Sequence, residues 1–215
     1  MFFCALRKLL YLCKYEIKTH NKANKMNTAE ERSIFKCIKT LEGHSGCVNS
    51  VAYSPDGSRI ISSSYKFIPG KFLFKKDKTI GIIEIWDAKK GKCLKTLEGH
   101  LDCVTSVVYS PDGKYIVSGS RDKTIKIWDA NTVECLKTLK GHSEGVNSVA
   151  YSPDSSRIIS GSDEGTIKIW DFNTRRCLKT LKGHSWIVHS VAYSPDGTKI
   201  ISCSADKTIK IWGEE

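Results

Sequence analysis

"CVTSVVYSPDGKYIVSGSRDKTIKIWD", residues 103–129, is the stretch on which the fold turns. Two runs rich in Val, Ile and Tyr flank "SPDG", and a third run, "IKIWD", follows "RDKT". Short β-branched runs bounded by turn residues predict strands, and no helical period competes with them. The turn chemistry is specific. Pro111 presets φ at the second turn position, Asp112 tolerates the third, and Gly113 can take the left-handed conformation that closes a hairpin with a bulge. "ANTVE" then leads into a fourth run, "CLKTLKGH", which completes one small antiparallel sheet.

A lone four-stranded sheet has two faces to cover and nothing to cover them with, and this chain answers by repetition. Trp86, Trp128, Trp170 and Trp212 stand 42 residues apart, and Gly-His pairs recur at 43–44, 99–100, 141–142 and 183–184. Equal units stacked face to face predict a propeller or an open arc of blades, with repeats at about 44–99, 100–141, 142–183 and 184–215. In the third unit Ser155 replaces the turn Gly, at a cost of roughly 1 kcal/mol.

With Gly-His, Ser-Pro-Asp, Asp-x-Thr and Ile-Trp-Asp in register four times, "GHSEGVNSVAYSPDSSRIISGSDEGTIKIWD" and its sisters resemble WD repeats of the G-protein β-like propeller family, over about residues 36–213. The resemblance implies an all-β chain and, in each blade, a hydrogen-bonded set of His, Ser, Asp and Trp. Those sets are His100, Ser118, Asp122 and Trp128, and His184, Ser202, Asp206 and Trp212, with Ser120 the alternative to Ser118. The third blade offers His142, Ser160, Glu164 and Trp170, with Glu164 standing where Asp122 does, or Asp163 substituting for it. The first blade offers His44, Ser62, Asp77 and Trp86, with an insertion between Ser62 and Asp77 that bears on which way Ser62 faces. Buried polar groups of this kind must bond one another or cost several kcal/mol apiece, on the order of 2–7.

Ser, His and Asp side by side also resemble a hydrolase triad. The set recurs in every blade, however, where a nucleophile would occur once and stand exposed beside an oxyanion hole. No Gly-x-Ser-x-Gly elbow, phosphate-cradling Gly loop or clustered metal-ligand motif is present in the sequence. The chain is therefore expected to be no enzyme, with no cofactor and no metal. The resemblance instead implies a protein-interaction scaffold whose contacts lie where the Gly-His loop enters the first strand. Here those positions are Cys47, Asn49 and Lys76; Cys103, Thr105 and Arg121; Gly145, Asn147 and Asp163; and Ile187, His189 and Ala205. Trp186 joins them as an aromatic in a loop where sister units have Gly46 or Asp102. The expected partners are proteins or peptides, in the cytoplasm or nucleus.

Charge and cysteines set the remaining bounds. The net charge is +11, of which residues 1–36 carry +5 and residues 65–76 carry +4. A nucleic-acid or anionic-membrane grip would therefore sit in appendages and not on the repeats. No uncharged apolar run reaches the length of a membrane span, because Arg7 and Lys8 interrupt the first one. Nine cysteines without a C-x-x-C, recurring at Cys37, Cys93, Cys135 and Cys177 and again at Cys47 and Cys103, read as small buried hydrophobes in a reducing compartment.

Three expectations concern the ends and the insertion. Residues 1–35 form a basic tail, irregular or partly helical, with Phe3, Leu6, Leu10 and Ile17 on one side and Met26 as a second natural start. Residues 65–75 make a hairpin around Pro69-Gly70, or are untranslated sequence carried into a gene model. Finally, segments of the fourth-strand type begin at 93, 135 and 177, with one more at 37, so that an N-terminal strand over 37–41 is the kind the last blade lacks. Four blades would close only at about 90° each. An open arc is favoured over a four-bladed ring, and its uncovered end faces invite self-association or mark the chain as a truncated fragment of a larger protein of the same repeats.

Overall fold

The computed structural model describes residues 36–69 and 77–213. Every element among them is a strand. The first blade holds β1 (Ser50–Tyr53), β2 (Arg59–Ile68), β3 (Lys78–Asp87) and β4 (Cys93–His100), and the second β5 (Val104–Tyr109), β6 (Tyr115–Ser120), β7 (Thr124–Asp129) and β8 (Cys135–Lys140). In the third are β9 (Val146–Tyr151), β10 (Arg157–Ser162), β11 (Thr166–Asp171) and β12 (Cys177–Lys182); the fourth has only β13 (Val188–Tyr193), β14 (Lys199–Ser204) and β15 (Ile209–Gly213). Within each sheet the strands pair antiparallel in chain order. The chain divides into two units at Ile38, and residues 36–38, the described part of the first, carry no regular element.

The β1–β2 type of turn forms as its residues dictate. In the second blade Ser110 Oγ donates to Asp112 Oδ1 at 2.6 Å, and Gly113 N donates to Ser110 O at 2.9 Å with φ at 72°. Ser155 adopts the same turn at φ 61° without glycine's freedom.

Blades are sealed by their neighbours. The face of the first blade, Ile61, Ile83 and Ile85, is covered by Val104, Val107 and Tyr109 from the second. Val117, Ile125 and Ile127 are covered in turn by Val146 and Val149, and Ile159 and Ile167 by Val188 and Val191. Burying such side chains stabilises by roughly 1.5–3 kcal/mol each, and this is the main term holding one sheet to the next. At Gly161 an added Cβ would lie 2.6 Å from Val188 Cγ1, so the seam there is too tight for any side chain. Polar stitches run across each seam. Asn49 Nδ2 donates to Val104 O at 3.0 Å, Thr105 Oγ1 to Val146 O at 2.5 Å, and Asn147 Nδ2 to Val188 O at 3.0 Å.

The two end blades lack one covering each, so the four sheets form an open arc. Val51 is 64% exposed where its counterpart Val107 is 1% exposed, and Ile209 is 75% exposed where Ile167 is fully buried. Tyr53 on the first blade, and Ile201 and Ile211 on the last, are bared in the same way.

The sequence departs from its own expectations in three places. A strand is predicted over 37–41, and the structure places none there. The cysteines are not buried: Cys37, Cys47, Cys93, Cys135 and Cys177 are exposed, and Cys103 and Cys203 half-buried. Cys93, Cys135 and Cys177 begin outer strands, whose outward side has no further strand to cover it. The insertion lengthens β2 and β3 into a paired ladder from Arg59↔Asp87 to Ile68↔Lys78. Its tip, residues 70–76, and the tail 1–35 lie outside the described residues.

Candidate interaction face

In each blade a Gly-His loop turns into the first strand, and the histidine is drawn under the sheet. His100 Nε2 lies 2.7 Å from Ser118 Oγ, and His100 Nδ1 2.7 Å from Asp122 Oδ2. Trp128 Nε1 donates to Ser118 Oγ at 2.8 Å. The imidazole thus links the serine and indole on one side to the carboxylate on the other in a single hydrogen-bonded chain. Burial alone would raise the Asp122 carboxyl, but His100, Thr124 Oγ1–H and Leu101 N–H outweigh it and hold the group well below the usual carboxylate range.

The fourth blade repeats this geometry, with His184 at 2.8 Å from Ser202 Oγ and 2.7 Å from Asp206 Oδ2, and Trp212 Nε1 at 2.8 Å from Ser202 Oγ. In the third blade the longer Glu164, not Asp163, reaches the ring: His142 Nδ1 is 2.6 Å from Glu164 Oε1 and Nε2 2.7 Å from Ser160 Oγ, with Trp170 Nε1 at 2.9 Å. Glu164 is pulled down to about 2, against the burial that would raise it, by Ser143, Thr166 and His142. Burial also lowers the His142 imidazole more than Glu164 raises it.

The first blade differs. His44 Nε2 is 2.8 Å from Ser62 Oγ, and Trp86 Nε1 donates to the same oxygen at 2.8 Å. Asp77 is not part of this set. Ser62 pairs with Glu84, and Lys78 pairs with Ile68, which sets Asp77 about 20 Å up the ladder at ~3.3 Å per residue. Glu84 is the acid that reaches the ring, with Oε2 3.0 Å from His44 Nε2. Serine and carboxylate here meet the same ring nitrogen, whereas in the other three blades the acid lies at Nδ1 and the serine at Nε2. Sequence reasoning missed Glu84; its one signal is its place two residues before Trp86.

Ser118 and Ser160 are fully buried, each contacting its histidine and accepting from its tryptophan. Among the described residues no group of three or more His, Cys, Asp or Glu is arranged to hold a metal. What the sets do is pin each loop. Leu101 N donates to Asp122 Oδ2 at 2.9 Å, Ser143 N to Glu164 Oε2 at 2.9 Å and Ser185 N to Asp206 Oδ2 at 3.1 Å, which fixes the rim around the second, third and fourth histidines.

On that rim the structure pairs entry residues with those before the turn acid. Arg121 N donates to Cys103 O at 3.0 Å, Asp163 N to Gly145 O at 2.9 Å, and Ala205 N to Ile187 O at 2.9 Å. Arg121 and His189 are exposed, Gly145 is buried, and Lys76 lies outside the described residues. Asn49, Thr105 and Asn147 are spent on the seams, and Asn147 Nδ2 also bonds Asp163 Oδ1 at 2.7 Å. Cys103 is half-buried beside Asn49, and burial pushes its thiol up; Cys47 is exposed. Trp186 stands 61% exposed while its carbonyl is held by Ser204 Oγ at 3.1 Å. Leu101, also exposed at the rim, drew no notice from its sequence context. No helix among the described residues is long and apolar enough to cross a membrane.

The family model described as "WD domain, G-beta repeat" matches residues 35–83, 91–129, 133–171 and 175–213, more than half of the chain. Among curated proteins, Nuclear distribution protein PAC1 of Coccidioides posadasii (strain C735) is 39% identical over 89 residues, covering 41% of this chain and 18% of that protein. Intraflagellar transport protein 122 homolog of Homo sapiens is 34% identical over 79 residues, covering 37% of this chain and 5% of that protein. The matched region is thus a small part of each relative. Two solved structures share the fold over more of the chain. The RRP9 WD40 repeats overlay with a TM-score of 0.68 at 26% identity, covering 81% of this chain and 50% of that one. U3-55K overlays with a TM-score of 0.69 at 25% identity, covering 82% and 51%.

Proposed function

Because the chain belongs to the WD40 repeat family, whose members generally act as protein-interaction scaffolds, we propose that it is a non-catalytic scaffold binding protein or peptide partners at its strand-entry rim. The observation that carries this reading is Trp186. A large apolar side chain is held out in solvent while its own backbone is anchored, which is how a rigid aromatic anchor for a partner is presented. Arg121, Asp163 and Ala205 stand at the same rim position in successive blades, each paired with the entry residue Cys103, Gly145 or Ile187, and supply polar and apolar variety on a fixed backbone. Cys47, Cys103 and His189 complete the candidate set. Free cysteines at all seven described positions support a cytoplasmic or nuclear location.

The test is partner capture with the full chain as bait, comparing wild type with Trp186→Ala and Arg121→Ala. Retention of the same partner is expected to fall by about tenfold or more for Trp186→Ala, at an unchanged melting temperature. Equal retention by all three would remove the rim from the account. Binding that collapses with salt and disappears when 1–35 and 65–75 are deleted would move the function to the basic segments.

A further inference from the structure

The seams follow a rule that the two end blades obey on their bare sides. Across each internal seam, a donor in the first strand or just before it bonds a Val carbonyl of the next blade, from Asn49, Thr105 and Asn147 in turn. The serine that follows accepts from a Val amide: Val107 N to Ser50 Oγ at 3.3 Å, Val149 N to Ser106 Oγ at 3.2 Å, Val191 N to Ser148 Oγ at 3.2 Å. On the last blade the same two positions are His189 and Ser190, both exposed. The matching carbonyl and amide on the first blade belong to Val48 and Val51, also exposed. The apolar parts match too, with Ile201, Ile209 and Ile211 bared at one end and Val48 and Val51 at the other.

A second relation concerns the missing strand. Lys95, in the outer strand of the first blade, reaches across the seam to the Asn131 carbonyl in the second blade's turn, and Lys39 reaches the Lys89 carbonyl in the first blade's equivalent turn. Likewise Gly43 faces Trp86 Cη2, as Gly99 faces Trp128 and Gly141 faces Trp170. Residues 39–43 therefore lie where the outer strand of a preceding blade would lie, without that blade. Among the described residues the last blade has three strands and no counterpart of this one.

We infer that the partner of both bare faces is a second copy of this chain, and that two copies close head to tail into one eight-bladed ring. Each copy's β13–β15 sheet slots between its partner's residues 39–43 and its partner's β1, and takes the 39–43 segment as its fourth strand against β15. His189 donates to Val48 O and Ser190 Oγ accepts from Val51 N across both joints. A second copy offers both required surfaces in the order required, and a half turn makes the two joints equal. Eight blades need about 45° each, inside the range of closed propellers, whereas a four-bladed ring needs about 90°. Cys203, standing where Gly119 and Gly161 stand in the other seams, is covered as Ser63 is covered in the first. This inference is independent of the partner bound at the rim.

Light scattering on the purified full chain is expected to give twice the 24.0 kDa of one chain. Ile209→Lys with Ile211→Lys, and separately Val51→Lys with Tyr53→Lys, are each expected to weaken the dimer ~100-fold or more. All four residues are exposed within one copy, and an unchanged circular dichroism spectrum verifies that the variants fold. Mixing the two variants restores one intact joint, so a dimer is expected to return where neither variant alone forms one. Cys203 is expected to react with a thiol reagent about tenfold more slowly in the wild type than in the Ile209→Lys, Ile211→Lys variant. A wild-type monomer, a dimer indifferent to both variants, masses that grow without limit as concentration rises, or a monomer that pairs only with a different protein would each overturn the inference.

Discussion

Thr105 Oγ1 lies 2.5 Å from the carbonyl oxygen of Val146, one blade further round, and its proton has Gly119 O as the other acceptor at 2.9 Å. A residue read from sequence as facing a partner is thereby a link between two sheets of the same chain. Thr105→Val keeps the shape, removes the donor and leaves two half-buried carbonyls short of one. Denaturant unfolding is expected to show a loss of about 1–2 kcal/mol, with partner binding per folded molecule unchanged. A loss of binding at full stability would return Thr105 to the rim.

Ser118→Ala removes the oxygen on which Trp128 Nε1–H and His100 Nε2 both depend, and both are buried. The expected cost is roughly 2–4 kcal/mol in chemical denaturation. Ser202→Ala should cost less, because Trp212 at the open end is only half-buried and water can reach its indole.

Acid should loosen the third blade in a defined window. Glu164 has its folded value depressed to about 2 from an ordinary 4.5, so its stabilisation is complete above about 4.5 and is lost as pH falls toward 2. His142 acts in the same direction. Burial lowers its folded value, so the unfolded chain takes up a proton first as pH drops below about 6.5. Glu164→Gln is expected to flatten the lower part of a stability-against-pH curve, measured by urea unfolding between about pH 2 and 7. A variant curve parallel to wild type would contradict the assignment.

Ser155→Gly relieves a left-handed φ of 61° that serine holds only at a cost. Stability should rise by up to about 1 kcal/mol, the gain being trimmed by glycine's looser unfolded chain. Gly113→Ser in the sister turn, at φ 72°, should move the melting temperature by a similar amount downward.

Gly161→Ala forces a Cβ to within 2.6 Å of Val188 and should destabilise by about 1–3 kcal/mol on thermal or chemical unfolding. Cys203→Ala, at the equivalent place on the bare face, should be nearly neutral in a monomeric background such as the Ile209→Lys, Ile211→Lys variant.

The sequence carried the blades because each strand and turn is specified locally. The alternation of "CVTSVVY", the "SPDG" turn and the recurring tryptophan are read without knowing what lies across the seam. What it did not carry depends on relations between sheets or on register. Asp77 and Glu84 are both acids before Trp86, and only the pairing Ser62↔Glu84 decides which one faces His44. Once an insertion stretches a hairpin, counting back from the tryptophan and counting forward from the turn give different answers. Asn49, Thr105 and Asn147 were legible as rim residues, but a side chain directed along the rim and one directed at the neighbouring sheet have the same sequence pattern. The cysteine column misled for a related reason. A small apolar residue that recurs looks like core, and the outer strand is the one place where recurrence brings no cover.

Since the three internal seams share a side-chain donor, a serine and apolar strand residues on one side and two Val on the other, each middle unit carries both halves of a joint. A gene that copied residues 142–183 in tandem would insert a blade whose two flanks each meet the surface they were shaped for. Circumference in such a molecule is therefore a matter of copy number, open to change by a single slip in replication, while the joints themselves need no new mutation.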